Sequence, residues 1–243
     1  MLEKFRLPIL AAGIAVTLLT STVYIFKPTY ISLLEYKLYD FYFQKVYTKT
    51  KTDSVAIVDI DEYSLNKFGQ WPWPRYRVAL LLQRINVAGA LAVGADILFA
   101  EPDGTSPVIL QKALKRDLNV DVQCEGLPKG LLDNDQILAN VLQKRPFVLG
   151  YSFAFTQNDT KTDILTPANL NAVEIREPGA IPGYHHLFKA KDIIPPMPIF
   201  VRNAALTGFM NTMTDEDGVV RKTPLIISWQ NKIYPQLSLA TLL

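Results

Sequence analysis

Residues 55–103 constrain the fold more than any other stretch, because two apolar runs flank a single amphipathic helix pattern. The runs, residues 54–60 and 90–99, are rich in small and β-branched side chains and lead into acidic residues. Between them, residues 75–87 carry apolar side chains at helical spacing, namely Val78, Leu81, Leu82 and Ile85. Two buried strands joined by a crossover helix form a βαβ unit, so this stretch predicts a pair of parallel strands.

A W-P-W-P-R corner, Trp71 to Arg75, lies between the first run and the helix. Two prolines and Gly69 exclude regular structure, so a turn is expected over residues 69–74. Two interpretations of the indoles stay open. Trp71 and Trp73 can form an aromatic wall that holds a cation, or they can cover one end of the core while the prolines fix the backbone.

The rest of the chain predicts further helices and strands in mixed order. Helices are expected at residues 61–65, where Asp61 or Ser64 caps the turn, at 106–118, at 133–142 with Asp133 as N-cap, and from 236 onward. Strands are expected at residues 147–155, 173–175, 204–210 and 219–221, with a hairpin at 225–230 and 232–234. Residues 156–167 and 178–198 suit irregular loops. The predicted fold is α/β with a mixed sheet and crossover helices, preceded by a transmembrane helix.

Residues 7–26 are 20 consecutive uncharged residues. At about 1.5 Å per residue, a helix of this length spans roughly the 30 Å of a bilayer core. Lys4 and Arg6 precede the run and favour a cytoplasmic N-terminus. The alternative is a cleaved signal peptide, although no A-x-A-like site follows. The expected organisation is an anchor at residues 1–27, a juxtamembrane helix and linker at 28–53, and an extracytoplasmic domain at 54–243.

The overall composition excludes several classes of protein. The chain has 243 residues, a net charge of +2 and no block of Lys or Arg, so nothing indicates a nucleic-acid partner. Cys124 is the only cysteine, which excludes an intrachain disulfide, and its neighbours favour an inert thiol. We expect no cofactor. The expected partners are a membrane, an unknown small ligand or protein, and a second copy in a homodimer.

The acidic residues after the two apolar runs form the candidate ligand-binding site. If the strands are parallel neighbours, Asp61 and Asp96 meet at the carboxyl edge of the sheet, within reach of Arg75. The candidate binding residues of this pocket, which would hold a small cationic or zwitterionic ligand or a metal, are Asp61, Trp73, Arg75, Asp96, Asp103 and Arg221. In the structural alternative, Asp61 and Asp103 cap helices, and Arg75 pairs with Asp96 as a buried clamp.

No catalytic or metal motif stands out. His185 and His186 are the only histidines, and no third ligand stands at zinc spacing. Residues 215–218, D-E-D-G, lack the later ligands of a calcium loop and predict a tight turn with Gly218 at positive φ. No phosphate loop, G-x-S-x-G or H-E-x-x-H occurs. We therefore expect no catalytic residues, no metal and no enzyme activity in this chain.

Four separated segments, IVDIDEYSLNKFGQWPWPR, GADILFAEPD, GFMNTMTDEDGVVRKTPL and YPQLSLA, resemble the second CHASE family of extracellular sensory domains. The likeness extends from about residue 34 to the C-terminus. It implies a bacterial signal-input domain outside the inner membrane, coupled in the full-length protein to a cyclase or kinase, with no ligand residues assigned. We expect the chain to be a fragment, because residue 243 interrupts an apolar helix. An anchored or secreted carboxylate- or metal-dependent hydrolase, or a purely structural dimerisation module, are the alternatives.

Overall fold

A computed structural model of the chain describes residues 3–26, 28–47, 54–144, 146–155, 170, 173–174 and 183–243. The chain divides into two compact units, Met1–Asp59 and Ile60–Leu243. The first unit contains two helices, α1 (Glu3–Phe26) and α2 (Thr29–Val46). By length and composition α1 can cross a bilayer, since it holds a span at Pro8–Phe26 with a mean hydropathy of 2.0 and no buried residues.

The second unit mixes helices and strands. Its helices are α3 (Glu62–Phe68), α4 (Arg75–Val87), α5 (Pro107–Leu118), α6 (Asn134–Leu142), α7 (Pro198–Asn203) and α8 (Leu237–Leu242). Its strands are β1 (Val93–Ala95), β2 (Phe147–Ala154), β3 (Val173–Glu174), β4 (Asp192–Ile194), β5 (Leu206–Phe209), β6 (Ile226–Trp229) and β7 (Lys232–Pro235). Short 3-10 turns lie at Lys129–Leu131 and Tyr184–His186. The prediction of a mixed α/β fold is confirmed.

Strand β2 is the centre of the main sheet. Its first half pairs in parallel with β1 and β5, with Gly94 opposite Val148 and Gly150 opposite Gly208. Its second half pairs antiparallel with β4. A separate antiparallel sheet has the order β3-β7-β6. Between β6 and β7 the two-residue turn has Gln230 at φ 46° and Asn231 at φ 57°, so the predicted hairpin is confirmed.

The two faces of the main sheet are covered by different elements. Phe147 and Leu149 point to one face, where α4, α6 and α7 pack against the sheet and form the main core. Val78 and Leu138 in this core are fully buried. Alternate residues point to the other face, where Val148 packs on Leu237 of α8. Glycine lets α8 approach the strands closely, because a Cβ on Gly208 would lie 2.6 Å from the Leu237 Cα.

An aromatic core lies at the far end of β2. The rings of Phe153, Trp229 and Tyr234 are mutually packed, with centroid distances of 5.3 to 6.1 Å. Asn211 fixes the loop after β5 against β2, because its side chain accepts from the Phe153 N–H at 2.7 Å and donates to the Phe153 carbonyl at 2.8 Å. These two bonds extend the ladder beyond the last residue of β5.

Several predicted strands differ from the structure. Residues 54–60, predicted as a buried strand, are not paired in a sheet, and Ile57 is 92% exposed. An apolar β-branched run favours extended backbone, but a strand also needs a partner that sequence periodicity does not identify. Of residues 90–99, only Val93–Ala95 form a strand. Residues 219–221 form no strand, and pairing there is limited to a bridge between Met213 and Lys222.

The remaining local predictions divide into three groups. The helix at Arg75–Val87 and the N-caps Asp61 and Asp133 are confirmed. The predicted irregular segment 178–198 instead contains β4 in its described part. Residues 49–53 and 156–167 lie outside the described residues.

Candidate functional site

Arg75 is the centre of a buried polar cluster at the start of α4. Its backbone N–H donates to Oδ2 of Asp103 at 2.7 Å, and its Nε lies 3.8 Å from Oδ1 of Asp135. Its guanidinium carbon lies 4.6 Å from the centroid of the Phe99 ring. The side chains of Arg75 and Asp135 are 11% and 7% exposed. The cluster therefore ties the N-terminal ends of α4 and α6 together.

Asp103 is the main hydrogen-bond acceptor of this cluster. Besides the Arg75 N–H, it accepts from the backbone N–H of Thr105 at 2.8 Å and from the side-chain amide of Asn134 at 2.9 Å. Its own N–H donates to Oδ2 of Asp135 at 3.0 Å. Burial opposes ionisation of the Asp103 carboxyl, but the hydrogen bonds from Arg75, Thr105 and Asn134 outweigh it, so the pKa of Asp103 is lowered.

The carboxyl group of Asp135 is in a less favourable position. Burial raises the pKa of Asp135, although the Asp103 N–H and the charge of Arg75 act in the opposite direction. Burial likewise lowers the pKa of Arg75. Among the described residues, neither Nε of Arg75 nor Oδ1 of Asp135 has a hydrogen-bond partner. The two atoms therefore face each other as a buried ion pair without a hydrogen bond.

The tryptophan corner lies beside this cluster along the chain. Trp73 is buried in the main core, and its indole N–H donates to the Gly69 carbonyl at 2.6 Å. Trp71 remains partly exposed, 6.1 Å from Trp73 between ring centroids. The guanidinium carbon of Arg77 lies 5.7 Å from the Trp73 ring and 5.8 Å from the Phe68 ring. The aromatic wall thus already packs against a cation of its own chain.

The two other acids of the predicted pocket lie apart from Arg75. Asp61 is exposed and caps α3 by accepting from the Ser64 N–H at 2.9 Å, and this bonding to Ser64 lowers the pKa of Asp61. Asp96 is exposed directly after β1. In the described part of the chain, no hydrogen bond or ion pair joins either acid to Arg75. The predicted Arg75–Asp96 clamp is therefore wrong, because Asp135 of α6 is the carboxylate that reaches the guanidinium.

Arg221 binds the acids of its own turn. It donates to Asp215 at 2.9 Å and to Asp217 at 2.7 and 2.8 Å, and its side chain is almost fully covered. Gly218 has a φ of 81°, as the turn prediction requires. The hydrogen bond from Arg221 lowers the pKa of Asp217 to about 2. Through these contacts the guanidinium holds the D-E-D-G turn.

Of the six candidate residues, the structure brings together Arg75 and Asp103, with Trp73 two positions before Arg75. The sequence reasoning missed the two residues of α6 that complete the cluster, Asn134 and Asp135. Both follow the correctly predicted N-cap Asp133, whose Oδ1 accepts from the Asp135 N–H at 3.0 Å. The sequence signal that could have identified them is the run of three consecutive polar residues, Asp133, Asn134 and Asp135, at the start of a predicted helix. Among the described residues, no group of three or more His, Cys, Asp or Glu side chains is placed to hold a metal ion.

The helix α1 and the mixed-sheet unit define a class of protein, an α/β domain preceded by a helix that can anchor it in a membrane. A family model of the CHASE2 domain matches residues 11–243, so the chain belongs to the CHASE2 family of extracellular sensory domains. Comparison with curated proteins and with solved structures gave no significant match.

Proposed function

We propose that this chain is the signal-input domain of a bacterial membrane receptor, held outside the inner membrane by α1. Membership of the CHASE2 family is the observation that carries the proposal. The apolar span Pro8–Phe26 and the basic residues Lys4 and Arg6 before it support the orientation, since positive charges favour the cytoplasmic side. In this orientation α2 and the second unit lie on the periplasmic side.

In the full-length receptor, the proposed output is a nucleotide cyclase or a kinase in the cytoplasm. A ligand can shift that output only if it binds two conformations of the domain with different affinity. Helices α1 and α2 are separated only by Lys27 and Pro28, which makes α2 the proposed route from the domain to the membrane. We also propose that the receptor works as a homodimer.

We propose two roles in sensing for five of the six candidate residues and a structural role for Arg221. Asp61 and Asp96 are exposed and suit direct contact with a cationic or zwitterionic ligand. Trp73, Arg75 and Asp103 are buried or engaged in the cluster, and they suit transmission of that contact to α4 and α6. Arg221 holds the D-E-D-G turn in place.

The test measures the output of the full-length receptor in membranes, either cyclase or kinase activity. Asp96→Ala changes an exposed side chain that forms no described hydrogen bond, so it should leave the thermal stability unchanged and alter the regulated output. Asp117→Ala is the matched control, because Asp117 is an exposed acid that pairs only with the adjacent Arg116 in the described contacts. If the Asp96→Ala receptor has normal stability and normal output, Asp96 does not take part in sensing.

A further inference from the structure

Helix α2 carries an apolar seam along one open face. The seam comprises Ile31, Leu34, Leu38 and Phe41, followed at the same spacing by Lys45. The steps alternate between three and four residues, which is the spacing of the a and d positions of a coiled-coil heptad. The four apolar side chains are between 40% and 59% exposed. Apolar side chains at this spacing and exposure are typical of a helix that packs against another helix.

Most of the seam lies opposite the half-buried side of α2. The half-buried residues of α2 are Ser32, Leu33, Tyr36 and Asp40. On a helix of about 3.6 residues per turn, these four residues lie roughly across the helix axis from Leu34, Leu38 and Phe41. Among the described residues, Leu34, Leu38 and Phe41 therefore lie away from the half-buried side of α2 and are open to a partner, while Ile31 borders a cavity that α1 residues Leu19 and Val23 also line.

The membrane anchor determines which partner meets the seam. Since α1 ends at Phe26 and α2 begins at Thr29, copies anchored in one bilayer with one orientation present α2 in parallel and at the same height. Confinement to the membrane also raises the effective concentration of one copy at the other, which compensates for a seam of little more than two heptads. We propose that two copies of this chain associate through the α2 seam as a parallel two-stranded coiled coil. This inference rests on the proposed anchoring and names the dimer surface of the proposed receptor.

Lys45 gives the seam a specific register. A single lysine among apolar a positions favours a defined register and oligomeric state at some cost in stability. The Lys45 ammonium lies 5.5 Å from the centroid of the Phe41 ring in the single chain. Its aliphatic stem can therefore pack in the seam while the charge stays over the ring and near water.

A cysteine scan of α2 in the anchored chain tests this inference. In a Cys124→Ala background, single cysteines replace the seam residues Leu34, Leu38 and Phe41, or the exposed non-seam residues Tyr39, Phe43 and Val46. Mild oxidation in membranes should give disulfide-linked dimers at the three seam positions about tenfold more efficiently than at the three control positions. The proposed interface would be contradicted by equal crosslinking of both sets, by stronger crosslinking of the control set, or by no crosslinking at all.

A charge placed in the seam provides a second, independent measurement. Leu38→Glu should strongly reduce crosslinking through Leu34→Cys, because it puts two carboxylates opposite each other in an apolar interface. Phe43→Glu is the matched control, an equally exposed aromatic position off the seam, and should leave crosslinking unchanged. Equal loss in both variants would contradict the seam. Membrane sedimentation of each variant shows separately whether the anchor has failed.

Discussion

The Nε atom of Arg75 lies 3.8 Å from Oδ1 of Asp135, and in the described structure each of these two buried atoms lacks a hydrogen-bond partner. The pair is held by charge and by its surroundings, since Phe99 packs on the guanidinium and the Asp103 N–H binds the other carboxylate oxygen. Removing one partner of a buried pair leaves the other charge uncompensated. The contact between α4 and α6 should therefore respond to both mutation and pH.

Arg75→Met should destabilise the domain by about 3 kcal/mol at neutral pH, because Asp135 then keeps a buried charge without its cation. The pKa of Asp135 is already raised in the folded state, and loss of Arg75 raises it further. When the pKa of an acid is higher in the folded state than in the unfolded state, protonation of that acid stabilises the fold. This stabilisation is complete at a pH below the pKa of the unfolded state, and it is lost as the pH rises through the pKa of the folded state. The damage should therefore be smallest at acidic pH and grow toward neutrality.

Thermal unfolding of wild type and Arg75→Met across the acidic to neutral range measures this effect. Arg116→Met is the control, since Arg116 and Asp117 form an exposed pair that should contribute little at any pH. A stability loss for Arg75→Met that does not vary with pH would contradict the role assigned to Asp135.

Gly208→Ala should destabilise the packing of α8 on the main sheet by roughly 1–3 kcal/mol, the usual cost of overpacking a core. The added Cβ would lie 2.6 Å from the Leu237 Cα and 2.8 Å from its N, and backbone atoms cannot move aside cheaply. Gly130→Ala is the matched control, because nothing lies within 4 Å of its Cβ position. Chemical denaturation distinguishes the two, and equal stabilities would show that α8 is not closely packed.

Asp217→Asn should lower stability at neutral pH and have no effect in strong acid. Hydrogen bonding from Arg221 lowers the pKa of Asp217 from 3.8 to about 2. When the pKa of an acid is lower in the folded state than in the unfolded state, its ionised form stabilises the fold. This stabilisation is complete at a pH above the pKa of the unfolded state, and it is lost as the pH falls through the pKa of the folded state. The difference in melting temperature between wild type and variant should thus disappear between about pH 4 and pH 2. A difference that persists unchanged at pH 2 would exclude this pairing as its source.

The features predicted correctly from the sequence are those determined by residues close together in the chain. The hairpin at Gln230 and Asn231 follows from residues that tolerate positive φ, and helix α4 follows from the apolar spacing between a proline and an alanine-glycine end. The caps Asp61 and Asp133 depend on backbone groups within three residues. For such features the determining contacts lie within the segment itself.

The errors concern contacts between distant segments. Residues 54–60 have the composition of a buried strand, but pairing depends on a partner elsewhere in the chain. The partner of Arg75 was expected to be Asp96, at 21 positions, and is Asp135, at 60 positions. Sequence periodicity can place a charged residue at the end of a helix or strand, but it does not identify the residue elsewhere in the chain that this charge contacts. The same limit explains why Asn134 and Asn211 were not identified.

The central claim, a sensory domain held outside the inner membrane by α1, is tested most directly by labelling in intact spheroplasts. In a Cys124→Ala background, one variant carries Glu125→Cys in the exposed loop after α5, and another carries Glu3→Cys before the apolar span. A membrane-impermeant maleimide should label position 125 in intact spheroplasts and position 3 only after lysis. Labelling of position 3 and protection of position 125 in intact spheroplasts would contradict the account.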